Sequence, residues 1–512
     1  MRIAALDLGS NSFHLLVVEA SPDGRFEPLL REKVMLRLGD DVGRLGRISE
    51  QRSAAAVDAV VRLVALARSA GAVEVVAKGT AALREAENGT ELVDRIESES
   101  GVEVEVISGS EEARLVFLAV RASVVLEPSP ALVADLGGGS LELVVGDQAG
   151  SRWSASARLG VGRLTTELVR DDPPSADDRS RLAGRVEAAL APLMPEVRRH
   201  GPRLLVGTSG TLVTLARMAA IRRGGPRPPS LNQLTVARAE LEAVHDDLLR
   251  LPAAARSRLA GLDSRRAEII PAGAVVLSEL MSLFGFDELT VSDWALREGI
   301  VLDVLGTHDP AEWGGDPSAL RMSSVMDLGR RCRFQEKHAR RVTAMAETLF
   351  DACASLHRLD GSDRELLGAA CLLHDIGEHV AADSHERHSA YLVMNGRLRG
   401  FSPEEVAALA SIVRFHRRGA PHKAGFEPFE GLPPEWRERV VRMTALLRVA
   451  DSLDRAHCGA VAALEVEVLA DRVRLLLDAP GGAELETWGL RRKRELFEEV
   501  FGVALEALER PA

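Results

Sequence analysis

Short apolar runs alternate with amphipathic stretches along the chain up to about residue 305. An amphipathic helix is predicted from Ile48 to Ala70, with Ser49 as its candidate N-cap. Buried strands are predicted at Val73–Ala77 and Val102–Ile107, and another helix around Arg265 to Phe284. Strands that alternate with helices in this way predict an α/β architecture.

The pattern changes beyond the segment 306–317, whose glycines and prolines are typical of a linker. Helical periodicity then dominates to about residue 460. Leu464 to Asp478 alternates like a β-hairpin, and Pro480-Gly481-Gly482 separates it from a last amphipathic helix. The predicted organisation is a first lobe at 1–124, a second lobe at 125–305, the linker at 306–317, a helical domain at 318–460 and a small hairpin-plus-helix region at 461–512.

One strand–turn–strand pattern occurs twice. In register, Asp7-Leu8-Gly9-Ser10-Asn11-Ser12 aligns with Asp135-Leu136-Gly137-Gly138-Gly139-Ser140, and an apolar strand flanks each turn on both sides. Glycines in such a turn let successive backbone N–H groups point into one concavity that accepts phosphate oxygens. The aspartate at its rim can hold a divalent cation. The repeat therefore predicts two similar lobes that face each other across a phosphate-binding cleft.

A second candidate anion site lies in the predicted second lobe. The strand at Leu204–Val206 runs into Gly207-Thr208-Ser209-Gly210-Thr211, which opens a helix. A loop of small residues at a helix N-terminus is a typical anion site. Ser209 and Thr211 fit an ordinary N-cap role equally well.

Composition is typical of a globular protein: 512 residues, 46% apolar and 27% charged, which predicts two to four domains. No apolar stretch is long enough to span a membrane, so a cytoplasmic protein without membrane attachment is expected. The cysteines match neither a zinc knuckle nor a disulfide framework, and reduced thiols are expected. They are Cys332, Cys353, Cys371 and Cys458.

The net charge of −12 argues against general nucleic-acid binding. Basic residues nevertheless gather in the C-terminal half, where they form solvated helix faces or line a path for a polyanion. The clusters are Arg330, Arg331, Arg333, Lys337, Arg340 and Arg341; Arg414, Arg417, Arg418, His422 and Lys423; and Arg491 through Arg494.

Six short motifs occur in one order: Asp7 through Ser12, Thr80 through Arg84 with Asn88, Ile107 through Arg114, Asp135 through Glu142, Gly207 through Thr211, and Arg297 through Gly299. This set resembles the exopolyphosphatase/guanosine pentaphosphate phosphohydrolase (Ppx/GppA) family in its long form, over essentially the whole chain. The resemblance implies an α/β fold with two actin-like (RNase H-like, ASKHA) lobes around a phosphate-binding cleft. An all-helical HD-like domain and a small α+β C-terminal region follow. Ala81 departs from the pattern, since a hydroxyl residue is usual there.

The resemblance also implies roles for single residues. Asp135 and Glu142 would bind Mg²⁺ or another divalent cation, with Asp7 joining through water. Glu112 would activate the attacking water, with Glu111 as its alternative, and Arg84 would bind a terminal phosphate. The implied phosphate-binding residues are Gly9, Ser10, Asn11, Ser12, Gly137, Gly138, Gly139, Ser140 and Ser209. Read without the resemblance, the aspartates fit turn positions, Glu112 fits the start of a helix and Arg84 fits an exposed helix face.

The C-terminal half reproduces the order His … His-Asp … Asp of HD metal phosphohydrolases in His338, His374-Asp375 and Asp451. His388 and His416 are available for a second ion. Imidazoles with carboxylates suit a transition metal. Two interpretations stay open: a metal site that serves a second phosphohydrolase, or a helical module that keeps the pattern for packing.

The leading functional hypothesis is an Mg²⁺-dependent exopolyphosphatase that releases terminal orthophosphate from inorganic polyphosphate, with a glutamate base. The nearest alternative is release of the 5′-terminal phosphate of guanosine pentaphosphate (pppGpp) by the same residues. A non-hydrolytic sensor of polyphosphate or (p)ppGpp is a second class, and a kinase is the weakest because no adenosine pocket can be identified. By resemblance, the protein is expected to be a homodimer.

Overall fold

The computed structural model describes residues 1–20, 26–224, 230–306, 317–421 and 425–510. The predicted turn at Pro22-Asp23-Gly24, nearly all of the predicted linker, and His422 with Lys423 lie outside the described residues. The chain forms two compact units, one extending to Leu320 and the other beginning at Arg321. None of the described helices has both the length and the apolar content that crossing a bilayer requires.

The first lobe of the first unit is built on a five-stranded sheet in the order β3-β2-β1-β4-β5. Its strands are β1 (Arg2–Leu8), β2 (Ser12–Ala20), β3 (Phe26–Met35), β4 (Glu74–Gly79) and β5 (Val104–Val106). β1, β2 and β3 are antiparallel neighbours, and β4 and β5 continue parallel to β1. The register places Asp7 opposite His14, directly beside the first repeated loop.

Five helices accompany this sheet: α1 (Leu38–Leu45), α2 (Glu50–Ser69), α3 (Ala81–Glu85), α4 (Gly89–Ser100) and α5 (Gly109–Arg121). The predicted helix at Ile48–Ala70 is confirmed as α2, and Ser49 occupies its N-cap position without a capping hydrogen bond from its side chain in the described part of the chain. Ser108 caps α5, because its side chain accepts a hydrogen bond from the backbone N–H of Glu111.

The second lobe repeats the plan with a six-stranded sheet in the order β10-β11-β9-β6-β7-β8. Its strands are β6 (Ala131–Leu136), β7 (Leu141–Gly146), β8 (Ser151–Ala157), β9 (Leu204–Thr208), β10 (Thr235–Ala237) and β11 (Glu288–Val291). Every residue of β6 and β7 is buried, as expected for a central hairpin. Asp135 lies opposite Glu142, at the register position that Asp7 and His14 hold in the first lobe.

The helices of the second lobe are α6 (Val161–Leu168), α7 (Ala176–Leu190), α8 (Met194–His200), α9 (Ser209–Arg223), α10 (Arg238–Arg250), α11 (Ala253–Arg256), α12 (Ile270–Phe284) and α13 (Leu296–Leu305). Short 3-10 helices cover Ala191–Leu193 and Ser264–Arg266. The helix predicted around Arg265 to Phe284 is therefore interrupted, and its regular part begins at Ile270.

A shared apolar cluster joins the two lobes. Side chains of a strand alternate between its faces, so Ala4, Leu6 and Leu8 of β1 pack into the core of the first lobe. Ile3 and Ala5 face the other way, into a cluster with residues of α5, α13, β6 and β7. Both central hairpins contribute residues to this cluster, so the two lobes share one apolar core.

The second unit is helical with one small sheet. Its helices are α14 (Pro317–Arg331), α15 (Glu336–Ala352), α16 (Ala354–His357), α17 (Gly361–Leu373), α18 (His385–Asn395), α19 (Pro403–Phe415), α20 (Glu427–Glu430), α21 (Pro434–Ser452), α22 (Glu484–Lys493) and α23 (Glu495–Phe501), with a 3-10 helix at Ile376–His379. The predicted hairpin is confirmed as β12 (Ala463–Val468) and β13 (Arg472–Asp478). The sequence prediction missed β14 (Ala504–Glu509), which pairs parallel with β13.

Candidate active site

The two repeated loops lie in direct contact. A Cβ added to Gly138 would lie 3.0 Å from Cβ of Asn11, and one added to Gly139 would lie 2.6 Å from Oγ of Ser10. The same added atom on Gly139 would lie 2.8 Å from Cβ of Ala81. Side chains at these positions would push the loops apart, so the glycines are required by the close approach of the two lobes.

The loops border a cavity of about 350 Å³, a volume typical of ligand sites. Most of the residues predicted for the site line it, and Arg84 and Glu142 lie outside its lining. Those that line it are Asp7, Gly9, Ser10, Asn11, Ser12, Glu112, Asp135, Gly137, Gly138, Gly139, Ser140 and Ser209.

Three carboxylates share this cavity. Asp7 lies near the end of β1, Asp135 near the end of β6, and Glu112 in the first turn of α5. Burial raises the pKa of Asp135 to about 6, and burial partly offset by the charge of Arg297 raises the pKa of Asp7 to about 7. Burial, opposed by the Arg84 guanidinium, raises the pKa of Glu112 to about 8. The negative charges of Asp135 and Asp7 add to that increase.

Glu142 lies immediately behind this group. It is 1% exposed, faces Asp135 across the β6–β7 hairpin, and its Oε1 accepts a hydrogen bond of 2.8 Å from Oγ of Ser156. Burial, together with the charges of Glu112 and Asp135, raises the pKa of Glu142 well above its ordinary value. The four carboxylates, called the acidic cluster below, therefore repel one another unless protons or a cation join them.

Arg84 contacts the acidic cluster through one of its members. Its Nη1 donates a hydrogen bond of 2.6 Å to the carbonyl oxygen of Ile107 and lies 3.3 Å from Oε2 of Glu112. The carbonyl contact fixes the guanidinium beside the carboxylate. Arg84 consequently lowers the proton affinity of Glu112 and orients its side chain.

The acidic cluster suits a divalent cation. Oδ1 of Asp135 is buried and has no hydrogen-bond partner among the described residues. Such an orphaned acceptor is costly to bury, and a cation would satisfy it. Carboxylate oxygens are the ligands that Mg²⁺ prefers, with water completing its coordination. Asp135 and Glu142, with Asp7 nearby, are the residues that could hold the ion.

Another part of the cavity lining is basic, and no role was predicted for its residues from the sequence. We call these residues the basic wall: His14, Lys33, Arg217, Arg266 and Arg297, all but Lys33 lining the cavity. Burial, aided by Arg297, lowers the pKa of His14 to about 2, so its imidazole is neutral. Burial, aided by Arg266, lowers the pKa of Lys33 to about 8. Basic side chains held this close together are typical of an anion-binding site.

The loop at the start of α9 completes the cavity. Ser209 has a φ of 72°, which is unusual for a residue with a side chain. Its hydroxyl donates a hydrogen bond of 2.7 Å to the carbonyl oxygen of Leu136, which ties α9 to the second repeated loop. Gly210 has no side chain, and the Arg266 guanidinium lies against it. A basic group is thus held over the N-terminus of α9, where anions bind well.

The residues predicted for an HD-type site lie together in the second unit. Nε2 of His374 lies 3.3 Å from Nε2 of His338, 3.3 Å from Oδ2 of Asp375 and 3.7 Å from Oδ1 of Asp451. His416 also joins, since its Nε2 lies 3.3 Å from Oδ1 of Asp375. His388 takes no part in either potential metal-binding group that the described residues form, and His385 occurs there instead.

Comparison with known proteins relates both units to one family. Residues 17–308 match the Ppx/GppA phosphatase family, and residues 320–493 match Ppx/GppA phosphatase, domain III. Exopolyphosphatase 1 of Mycobacterium tuberculosis (strain ATCC 25618 / H37Rv) is 35% identical over 311 residues, which are 60% of this chain and 89% of that protein. Exopolyphosphatase 1 of Mycobacterium leprae is 34% identical over 328 residues, which are 64% of this chain and 94% of that protein.

Solved structures agree with the first unit. The crystal structure of an exopolyphosphatase from Cytophaga hutchinsonii has a TM-score of 0.57 at 30% identity and covers 60% of this chain and 98% of its own. The Aquifex aeolicus member of the Ppx/GppA family has a TM-score of 0.52 at 30% identity, over 60% of this chain and 99% of its own. The predicted fold class, two actin-like α/β lobes followed by a helical region, is confirmed.

Proposed function

Since this chain belongs to the Ppx/GppA phosphatase family, we propose that it is an exopolyphosphatase that releases terminal orthophosphate from inorganic polyphosphate. The observation that carries the proposal is the position of Glu112 in a cavity lined by members of both the acidic cluster and the basic wall. Hydrolysis of a phosphoanhydride needs mainly positioning, charge neutralisation and an oriented water. The named curated relatives are exopolyphosphatases.

Glu112 is the proposed general base. Its carboxylate takes a proton from water while the water oxygen forms a bond to the terminal phosphorus. The bond from that phosphorus to the bridging oxygen breaks, and the electron pair stays on the shortened chain. A general base works best when its pKa lies near the operating pH, and burial brings the pKa of Glu112 into that range. Arg84 keeps the carboxylate aimed and partly ionised.

The repeated loops and the basic wall are proposed to hold the substrate. Backbone N–H groups of Gly9 to Ser12 and of Gly138 to Ser140 would bind successive phosphates from opposite sides. The N–H of Gly137 instead donates a hydrogen bond to the carbonyl oxygen of Ser140. Arg266 and Arg297 add charge-assisted hydrogen bonds, which are stronger than neutral ones. When bound at Asp135 and Glu142, Mg²⁺ would neutralise phosphate oxygens and stabilise the leaving group.

Hydrolysis of pppGpp would use the same residues and is the alternative substrate to test. The non-hydrolytic sensor is disfavoured, because a protein that only binds has no use for a buried glutamate of raised pKa beside a cation site. Homodimer formation stays a prediction, which light scattering of the full chain would test.

The test compares Glu112→Gln with Glu111→Gln. Both changes remove one carboxylate from the first turn of α5, but Glu111 lies outside the cavity and pairs with Arg114. Loss of a general base typically costs about 10²- to 10⁴-fold in rate. We expect that loss in kcat for Glu112→Gln on polyphosphate, and a change of less than about twofold for Glu111→Gln.

Phosphate release is measured with long polyphosphate and with pppGpp, and binding of polyphosphate is measured separately. Wild-type activity confined to pppGpp would assign the alternative substrate. Tight binding without phosphate release by the wild type would favour the sensor. Nearly full activity of Glu112→Gln would overturn the assignment of the base.

A further inference from the structure

Six side chains from five places in the second unit converge on one point. His338 lies on α15, His374 and Asp375 follow α17, His385 begins α18, His416 follows α19 and Asp451 lies near the end of α21. All are buried or nearly so, and the most exposed side chain, that of Asp375, is 14% exposed. Burying this many polar groups is costly unless something satisfies them.

The Nδ1 atoms of three of the imidazoles, called the outer nitrogens here, each contact a backbone carbonyl oxygen. Nδ1 of His374 lies 2.7 Å from the carbonyl oxygen of Cys371, Nδ1 of His385 lies 3.1 Å from that of Ala382, and Nδ1 of His416 lies 2.7 Å from that of Val413. Carbonyl oxygens only accept hydrogen bonds, so each Nδ1 carries a proton. In its neutral form, each ring therefore turns the lone pair of Nε2 inwards.

His338 follows the same rule with a different partner. Its Nδ1 lies 2.8 Å from Oδ2 of Asp454, a carboxylate that also accepts a hydrogen bond of 2.8 Å from Nε of Arg341. A histidine whose outer nitrogen donates to a carboxylate or carbonyl is the usual arrangement of a metal ligand.

The inward nitrogens come in two close pairs. Nε2 of His338 lies 3.3 Å from Nε2 of His374, and Nε2 of His385 lies 3.3 Å from Nε2 of His416. Two ligands that are each about 2.0–2.1 Å from one metal ion, at angles between about 90° and 109°, are separated by about 2.8–3.4 Å. Each pair therefore has the spacing of two ligands on one ion.

Asp375 lies between the pairs with one oxygen toward each. Its Oδ2 is 3.3 Å from Nε2 of His374 and 3.6 Å from that of His338. Its Oδ1 is 3.0 Å from Nε2 of His385 and 3.3 Å from that of His416. A carboxylate with this division of contacts is placed to bridge two ions.

We propose that this cluster binds two divalent first-row transition-metal ions bridged by Asp375. The first ion is held by His338, His374, Asp375 and Asp451, whose Oδ1 lies 3.7 Å from Nε2 of His374. The second ion is held by His385, His416 and Asp375. Mixed imidazole and carboxylate ligands suit such metals rather than Mg²⁺. The second ion has three protein ligands and so keeps a coordination position open, as hydrolytic metal sites do.

The test measures metal content by elemental analysis of the full chain, after reconstitution with Mn²⁺, Fe²⁺, Co²⁺ or Zn²⁺ and removal of loosely bound ions. The matched variants are His385→Ala and His388→Ala, which lie on the same helix, inside and outside the cluster respectively. We expect two ions per chain in the wild type and in His388→Ala, about one in His385→Ala, and less than one in Asp375→Asn.

Visible absorption of the Co²⁺ form gives a second readout, because Co²⁺ bound by imidazoles has a different absorption spectrum from hydrated Co²⁺. Circular dichroism and phosphate release from polyphosphate report whether each variant is folded. A folded wild type that retains no ion, or equal metal content in His385→Ala and His388→Ala, would overturn the site. If the wild type binds only one ion per chain and His385→Ala retains that ion, the assignment of two ions would be overturned.

Discussion

Replacement of Arg84 by methionine should shift the acidic limb of the pH–rate profile upward. The guanidinium lies 3.3 Å from Oε2 of Glu112 and favours the ionised carboxylate that the proposed base requires. Without it, burial and the charges of Asp7 and Asp135 act on Glu112 unopposed. Since the base is active above its pKa and inactive below it, the loss of rate should be largest at low pH and recover at high pH.

The structure sets the size of this shift. An opposite charge within about 4–6 Å typically lowers a carboxyl pKa by about 1–3 units. The Arg84 side chain is 24% exposed, so water screens part of its charge, and we expect the lower end of the range. A rise of about one unit costs about tenfold in kcat/KM below the midpoint. The same rise in pKa costs little rate at a pH about two units above that midpoint.

The assay is kcat/KM on polyphosphate from pH 5.5 to about 10 at saturating Mg²⁺, with Arg84→Lys as the matched variant. Bound Mg²⁺ lowers every midpoint, so the difference between variants carries the information. Arg84→Lys keeps the charge and should keep the midpoint, while losing the planar fork that would bind a terminal phosphate. A uniform loss in Arg84→Met without a shifted midpoint would refute the electrostatic role and leave only substrate binding.

Three further predictions concern the loops, the acidic cluster and the basic wall. Gly139→Ala should separate the repeated loops, destabilise the protein by about 1–3 kcal/mol in chemical denaturation and abolish phosphate release. Gly150→Ala should be neutral, because its added Cβ would meet no described residue within 4 Å apart from its chain neighbours. In the acidic cluster, folded-state pKa values lie above the ordinary ones, so without a cation stability should fall as pH rises from about 4 to 8. Adding Mg²⁺ should restore the lost stability, and each kcal/mol regained should raise the Tm by about 2–4 °C. A melting temperature that changes with neither pH nor Mg²⁺ would contradict this prediction. Arg266→Gln should lower kcat/KM for polyphosphate by about tenfold or more, and the neighbouring exposed Arg265→Gln should not; equal losses would exclude a specific role of the basic wall.

The part of the site that could be predicted from the sequence is formed by residues that are contiguous along the chain. Each repeated loop is one strand, one turn and one strand, so its aspartate and glycines are identified by spacing alone. The basic wall is different, because His14, Lys33, Arg217, Arg266 and Arg297 come from separate elements and meet only through tertiary packing. Arg297 belonged to a recognised motif, but nothing local indicated which way its side chain faces.

Two errors in the second unit have local causes. The sequence of β14, Ala504–Glu509, spaces its leucines three residues apart, which suits a helix turn better than a strand, and only pairing with β13 makes it extended. His385 and His388 differ by nearly one helical turn, so periodicity cannot separate them. The choice depends on where α18 begins, after Ser384 at a φ of 58°.

The duplicated hairpins give the cavity a built-in direction. Both copies offer the same backbone geometry to an oxyanion, but the residue across from the aspartate is His14 in one and Glu142 in the other. The neutral imidazole tolerates neighbouring arginines, while the buried acid demands a metal or a proton. A near-symmetric scaffold thus offers a chain of identical phosphates a different environment at each of its two loops.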